Sequence, residues 1–150
     1  MVRSQCVRAL GIDYGERRIG LALSDATGLL ASPWKTLTHT GDLRALARTL
    51  ADIIAGLGGE EDGLAAVAIG LPRRLSGEPN DQTARVQALA GLLRAAVSVP
   101  VTLVDERLTS HEADEMLARR ERDWRKRKQH LDAMAAALIL QDYLDTRPRP

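Results

Sequence analysis

Two apolar runs near the start of the chain lie so close together that their pairing is nearly forced. VRALGID, residues 7–13, and RIGLALSD, residues 18–25, are separated by only four residues. A parallel crossover needs a dozen residues or more, so the spacing predicts an antiparallel hairpin of two buried strands. The first run closes on a charge, Asp13, bracketed by Gly11 and Gly15, and Gly20 lies in the second run. A carboxylate ending a buried strand needs a partner. Glycines beside it read as room for a phosphate close to the backbone, or simply as a tight hairpin turn.

The rest of the chain alternates between two periods. LLASPWKTL, residues 29–37, reads as a third strand, with Pro33 suiting a sheet edge. Leu43, Leu46, Leu50, Ile54 and Leu57 then recur at helical spacing, and Gly56, Gly58 and Gly59 supply a stop. LAAVAIGLP, residues 64–72, is a short apolar strand. Val86, Leu89, Leu93 and Val97 mark a second helix, and VTLVDER, residues 101–107, a fifth strand. Thr109 with Glu112 three residues on forms a capping box for a further helix. LDAMAAALILQDYL, residues 131–144, is the last helix, and residues 146–150 are expected to fray. The order β-β-β-α-β-α-β-α-α predicts an α/β domain over residues 1–150. Its sheet is mixed and five-stranded, three antiparallel strands then two parallel, with helices on both faces. With no Phe and two each of Trp and Tyr, the core must be Leu, Ile, Val and Ala.

Several function classes are unsupported. Cys6 is the only cysteine, which rules out an internal disulfide and points to a reducing cytoplasm. No apolar run approaches the roughly 20 residues that span a bilayer, so no membrane partner is expected. His39, His111 and His130 lack zinc spacing, and neither GxxxxGK[ST] nor GxSxG occurs. The net charge of +1 names no partner. Its distribution is more telling: Arg119, Arg120, Arg122, Arg125, Lys126, Arg127 and Lys128 form a basic run. Such a run is either a solvated helix face or a surface for a phosphate backbone.

Carboxylates fall at informative places. Asp13 closes strand one, and Asp105 and Glu106 close strand five. If strands one, four and five are parallel, these acids share the carboxyl edge of the sheet, where open α/β sheets bind ligands. Asp25 ends an antiparallel strand and belongs to the opposite edge. Asp105 and Glu106 point to opposite faces, and the longer reach of Glu106 makes it the first choice, with Asp105 the runner-up. Asp132, read as lying in the first turn of the last helix, shares a face with Ala136 and Ile139, and neighbouring alanines let that helix approach closely. A first-turn acid complementing the helix dipole is the simpler account of Asp132. Three carboxylates converging with no evident cationic partner would repel one another, and divalent cations resolve that. Oxygen ligands suit Mg²⁺ or Mn²⁺, the ions of two-metal phosphodiester cleavage.

GIDYGERRIGLALSD, AIGLPRRLSG, VDERLTSHEA and LDAMAAALILQDYL, taken together and in order, resemble the YqgF-type pre-16S rRNA nucleases, also described as Holliday junction resolvases. The resemblance spans nearly the whole chain. It implies a ribonuclease H-like fold and a divalent-metal nuclease of the cytoplasm, maturing the 5′ end of small-subunit rRNA or acting on branched DNA. By the family pattern Asp13 is the first-strand aspartate, Glu106 the acid of the DER motif and Asp132 the acid opening the final helix. RRLSG is more basic than in many members, so Arg73 and Arg74 read as phosphate contacts. Arg107 either holds a phosphate or pairs with Asp105, and Arg125, Lys126, Arg127 and Lys128 would track the nucleic-acid backbone. A resolvase would be a homodimer, whereas an RNA-processing enzyme can act as a monomer. A different class of reading is a non-catalytic module of the same fold that binds rRNA precursors. DYGERRIG also resembles the first phosphate loop of actin-like ATPases, but that fold needs two lobes.

Overall fold

A computed structural model of the protein describes residues 6–72, 82–106 and 124–147, with backbone alone at 106 and 124–130. Arg73, Arg74, Arg107 and the Thr109–Glu112 capping box lie outside the described residues. Five strands and three helices are described: β1 Ala9–Tyr14, β2 Arg18–Ser24, β3 Ala31–Thr38, α1 Leu43–Gly58, β4 Ala66–Pro72, α2 Thr83–Ala96, β5 Val101–Glu106 and α3 Trp124–Thr146. The sheet order is β3-β2-β1-β4-β5, with β1, β2 and β3 antiparallel and β1, β4 and β5 parallel, as the sequence predicts.

The two faces of the sheet are made of different residues. Within β1, β2 and β4, large and small side chains alternate. Leu10, Ile12, Tyr14, Ile19, Leu21, Val67, Ile69 and Leu71 point one way, into a core completed by Leu46, Leu50, Ile54 and Leu57 of α1 and Val86, Leu89 and Leu93 of α2. Ala9, Ala22, Ala66 and Ala68 point the other way and meet Ala136, Leu140 and Leu144 of α3. Strand residues alternate between faces, so this pattern builds one thick layer and one thin layer on a single sheet. The thin side brings α3 almost onto the backbone. A Cβ on Gly11 would lie 2.6 Å from Leu140 Cβ and 2.8 Å from the Ala136 carbonyl oxygen.

Local signals explain most element ends. Asp42 caps α1, its side chain accepting from the Arg44 and Ala45 N–H groups, and the helix runs through Gly56 and Gly58 before Gly59 caps it. Nothing lies within 4 Å of the place a Cβ on Gly56 would occupy. Gly56→Ala therefore raises stability by about 0.5 kcal/mol, measured by urea unfolding, because it removes only chain entropy. β3 is an edge strand, and its ladder with β2 skips a residue: Leu21 pairs with Lys35 but Ala22 pairs with Pro33, leaving Trp34 bulged. Leu29 and Leu30, expected in this strand, instead form the turn before it and are exposed. Their N–H groups donate to Asp25 Oδ1. The Thr27 hydroxyl, then these amides, hold the Asp25 carboxyl below its usual value. Asp25 thus serves the turn at the rim opposite Asp13.

One expectation for the last helix needs correction. It begins at Trp124, not near residue 131, because Arg, Lys and Gln favour helix and no Gly or Pro interrupts the basic run. At its end Thr146 is helical and Arg147 Nη2 donates to the Val7 carbonyl at 2.7 Å, and residues 148–150 lie outside the described residues.

Candidate functional site

Parallel pairing brings the ends of β1, β4 and β5 to one rim. Gly70 pairs with Val104, Leu71 with Asp105 and Pro72 with Glu106. Asp13, next to last in β1, pairs with Gly20 of β2. Directly opposed residues of an antiparallel pair share a face, with Cβ positions about 5 Å apart. A Cβ on Gly20 would lie only 1.8 Å from the carbonyl oxygen of Asp132. The backbone of α3 at Asp132 therefore sits on Gly20, on the face to which Asp13 belongs. Asp13 and the backbone of Asp132 thus share one face of the sheet, and both residues are half-buried.

The electrostatics of Asp132 are unbalanced. Its side chain is 25% exposed, and Oδ2 lies 3.1 Å from Arg18 Nε. That N–H does not aim at the oxygen, and Oδ2 is buried with no hydrogen bond. Burial pushes the Asp132 carboxyl above the usual carboxylate value, and the Arg18 guanidinium pulls it back by less. A partly desolvated anion with an orphaned oxygen is costly, and a cation would satisfy it. The donors present are carboxylate oxygens, which fit a hard divalent ion such as Mg²⁺ or Mn²⁺.

Position 106 completes the arrangement only as backbone. It alternates with Val104, which packs into the α3-side cluster, whereas Asp105 is exposed and alternates with Leu103, packed against the opposite core. Strand register thus puts 106, not 105, on the face of Asp13. Among the described residues no group of three His, Cys, Asp or Glu side chains is clustered for a metal ion. The Glu106 side chain lies outside that description, as do the side chains of Arg125, Lys126, Arg127 and Lys128, whose backbone forms the first turns of α3.

Three sequence expectations change here. Asp132 lies well inside α3 rather than in its first turn, which removes the dipole account of its charge. The acids do have a cationic neighbour, Arg18, two residues before Gly20 on the same face of β2. Gly15 and Gly20 leave no room for a phosphate. The Gly20 space is filled by the Asp132–Ala133 backbone, and a Cβ on Gly15 would lie 2.6 Å from the Arg18 carbonyl oxygen across the hairpin turn.

Sequence reasoning also passed over His39 and Arg85. His39 Nε2 lies 2.6 Å from the Gly15 carbonyl oxygen, while Nδ1 accepts from the Gly41 N–H at 3.1 Å, so Nε2 carries the proton. Arg85 donates from Nε to the Tyr14 hydroxyl at 2.9 Å and from Nη2 to the Gly41 carbonyl at 2.8 Å. Together they clamp the turn after Asp13 to the segment between β3 and α1. A lone histidine and a helix-surface arginine carry no sequence signal for such a clamp.

Comparisons with known proteins identify the family. The family model RuvX, described as Holliday junction resolvase, matches residues 7–146. A Chloroflexus aggregans protein named "Putative pre-16S rRNA nuclease" is 41% identical over 141 residues, covering 94% of this chain and 95% of that protein. A Nocardioides protein of the same name is 46% identical over 142 residues, covering 91% and 86%. Among solved structures, T. thermophilus RuvC in complex with Holliday junction substrate superposes with a TM-score of 0.54 at 17% identity, covering 92% of this chain and 93% of that one. At that identity the likeness is one of fold, and the fold is ribonuclease H-like. With one family model across residues 7–146 and relatives this similar over most of their length, the chain belongs to the RuvX Holliday junction resolvase family.

Proposed function

We propose that this chain is a divalent-metal-dependent nuclease that hydrolyses phosphodiester bonds. Its first substrate would be the 5′ region of the pre-16S rRNA, with four-way DNA junctions as the second. The observation that carries the reading is the packing of the Asp132 backbone on Gly20, the ladder partner of Asp13, with Asp132 Oδ2 buried and without a hydrogen bond. The names of the Chloroflexus and Nocardioides relatives support the RNA substrate, and the family description supports branched DNA.

Asp13, Asp132 and Glu106 would hold the ions. Mg²⁺ or Mn²⁺ held there would supply Lewis-acid activation of water and charge neutralisation for phosphodiester hydrolysis. The α3 backbone packs Asp132 against the sheet on the face to which Asp13 belongs. Arg18 offsets part of the Asp132 charge while no metal is bound. Arg73, Arg74, Arg107, Arg125, Lys126, Arg127 and Lys128 would contact the substrate backbone, which makes recognition depend on shape and charge more than on base identity.

The test is a cleavage panel of pre-16S 5′ fragments beside four-way DNA junctions, each with Mg²⁺, Mn²⁺ or EDTA. The expected result is metal-dependent cutting of the RNA that EDTA abolishes. Salt-sensitive binding with no cutting in either metal overturns the nuclease reading and leaves a non-catalytic binding module. No helix among the described residues is long and apolar enough to cross a membrane.

A further inference from the structure

A groove of about 760 Å³ lies beside the candidate metal site and belongs to none of the residues assigned above except Arg18. Its walls are Glu16, Arg17 and Arg18 from the β1–β2 hairpin and Thr38, His39 and Thr40 from the end of β3 and the segment after it. We propose that this groove holds a stretch of phosphodiester backbone of the nucleic-acid strand being cut, next to the scissile phosphate. The proposal rests on the nuclease reading for its place beside the metal site, but it can fail separately.

Four observations converge on that ligand. First, the groove carries two guanidinium groups against one carboxylate, and Arg17, Arg18, Thr38 and Thr40 are all exposed. Arg17 has no ion-pair partner among the described residues, so its charge is available to a ligand. Second, the polar groups are of the kind that binds phosphate oxygens, guanidinium forks and threonine hydroxyls, with no Phe, Tyr or Trp ring to stack a base. Third, the walls are fixed to each other. The His39 N–H donates to the Arg17 carbonyl at 3.0 Å, Arg18 pairs with Thr38 across the β2–β3 ladder, and His39 Nε2 holds Gly15. A site fixed before binding loses less entropy when it closes on a ligand. Fourth, Arg18 belongs to both places, lining the groove while its Nε lies 3.1 Å from Asp132 Oδ2.

A neighbouring cavity serves as an internal contrast. It lies on the other side of Thr38, His39 and Thr40, has a volume of about 480 Å³, and is lined also by Leu37, Leu46 and Asp42 with no arginine or lysine. A phosphate chain would meet a carboxylate there and no compensating cation. Of these two cavities, the one on the Arg17–Arg18 side suits a polyanion.

Counterion release makes the test quantitative, since each lost phosphate contact lowers the slope of log affinity against log salt by about one. Binding is measured by fluorescence anisotropy in EDTA, with a labelled RNA hairpin bearing a single-stranded 5′ extension and with a labelled four-way DNA junction. Arg17→Gln is expected to lower the slope by about one and weaken binding about threefold to tenfold, with unchanged thermal melting because the side chain is exposed. Arg17→Lys keeps the charge and is expected to keep the slope. Arg17→Gln with Arg18→Gln is expected to lower it by about two. Equal losses on both probes indicate backbone contact common to RNA and DNA, and a loss on one alone assigns the groove to that strand. Wild-type slopes in Arg17→Gln and in the double variant overturn the proposal, as does failure of the wild type to bind either probe. If the wild type cuts RNA with Mn²⁺ while the slopes stay unchanged, the groove falls and the nuclease reading stands. If the slopes fall as expected and no metal supports cutting, the groove stands and the nuclease reading falls.

Discussion

Asp132→Asn is expected to melt at higher temperature than the wild type in EDTA and to lose the proposed metal-dependent cleavage. Both halves follow from the same buried oxygen. In the metal-free protein Asp132 is a partly desolvated carboxylate whose Oδ2 has no hydrogen bond, and burial holds its pKa above the ordinary 3.8. A group whose folded pKa is raised stabilises the fold fully below the unfolded value and loses that contribution as pH rises through the folded one. At neutral pH the wild type has lost it. Asparagine keeps the shape and removes the charge, so its advantage should be absent well below pH 3.8, emerge as pH climbs past that value, and level off above the raised pKa. Arg18 loses its partner in the variant, but its side chain is 45% exposed and hydrates at little cost.

Divalent metal should reverse the order. Binding to the folded state alone adds about 2.7 kcal/mol at a hundredfold excess over Kd, and the wild type gains this while the variant does not. Cleavage should drop at least about 100-fold, since loss of groups that merely support a metal ligand already costs 10- to 100-fold. Asp13→Asn should match that loss while leaving nucleic-acid affinity in EDTA intact. Melting curves at several pH values, with and without Mn²⁺, check all of this together. A variant that melts below the wild type in EDTA would show that Asp132 is a structural ion-pair residue, and retained cleavage would remove it from the metal site.

Gly20→Ala should be the most damaging single-methyl change in the described part of the chain. The new Cβ would sit 1.8 Å from the Asp132 carbonyl oxygen, 2.2 Å from its carbonyl carbon and 2.8 Å from the Ala133 nitrogen. These are backbone atoms of a helix packed along the sheet, so no side-chain rotation relieves the clash. Overpacking a core by a methylene costs typically 1–3 kcal/mol, and a backbone clash this close should cost roughly 3 kcal/mol or more. The variant must either unfold at lower denaturant or lift the start of the packed segment of α3, which carries Asp132 away from Asp13. Cleavage and metal affinity should therefore fall even under conditions where the variant stays folded. The contrast is Gly56→Ala, where the same methyl enters open space and stabilises. Wild-type stability and cleavage in Gly20→Ala would mean that α3 does not lie against β2 as described.

What the sequence made legible was the part governed by local pattern. The Leu43–Leu57 period gave α1, the four-residue gap gave the β1–β2 hairpin, and the parallel reading of β1, β4 and β5 put Asp13 at the rim where β4 and β5 also end. The misreadings came from contacts between distant segments. LAAVAIGLP reads as evenly apolar, yet its alternation of Val67, Ile69 and Leu71 with Ala66, Ala68 and Gly70 already encodes one thick and one thin side. Gly20 looked like space for a ligand because nothing local shows that a helix from the other end of the chain fills it. Arg18 and Asp132 are paired by that same approach and by no spacing rule. The start of α3 was missed because a run of Arg and Lys is both a good helix and a good solvated loop, and charge alone does not separate the two.

The irregular course of β3 also governs how copies of this protein can meet. An outer strand normally offers a row of amides and carbonyls to any passing chain. Here Pro33 has no amide hydrogen to give, and the extra residue at Trp34 throws the repeat out of step halfway along. Both features discourage a second molecule from extending this sheet alongside β3, which points any self-association toward other surfaces.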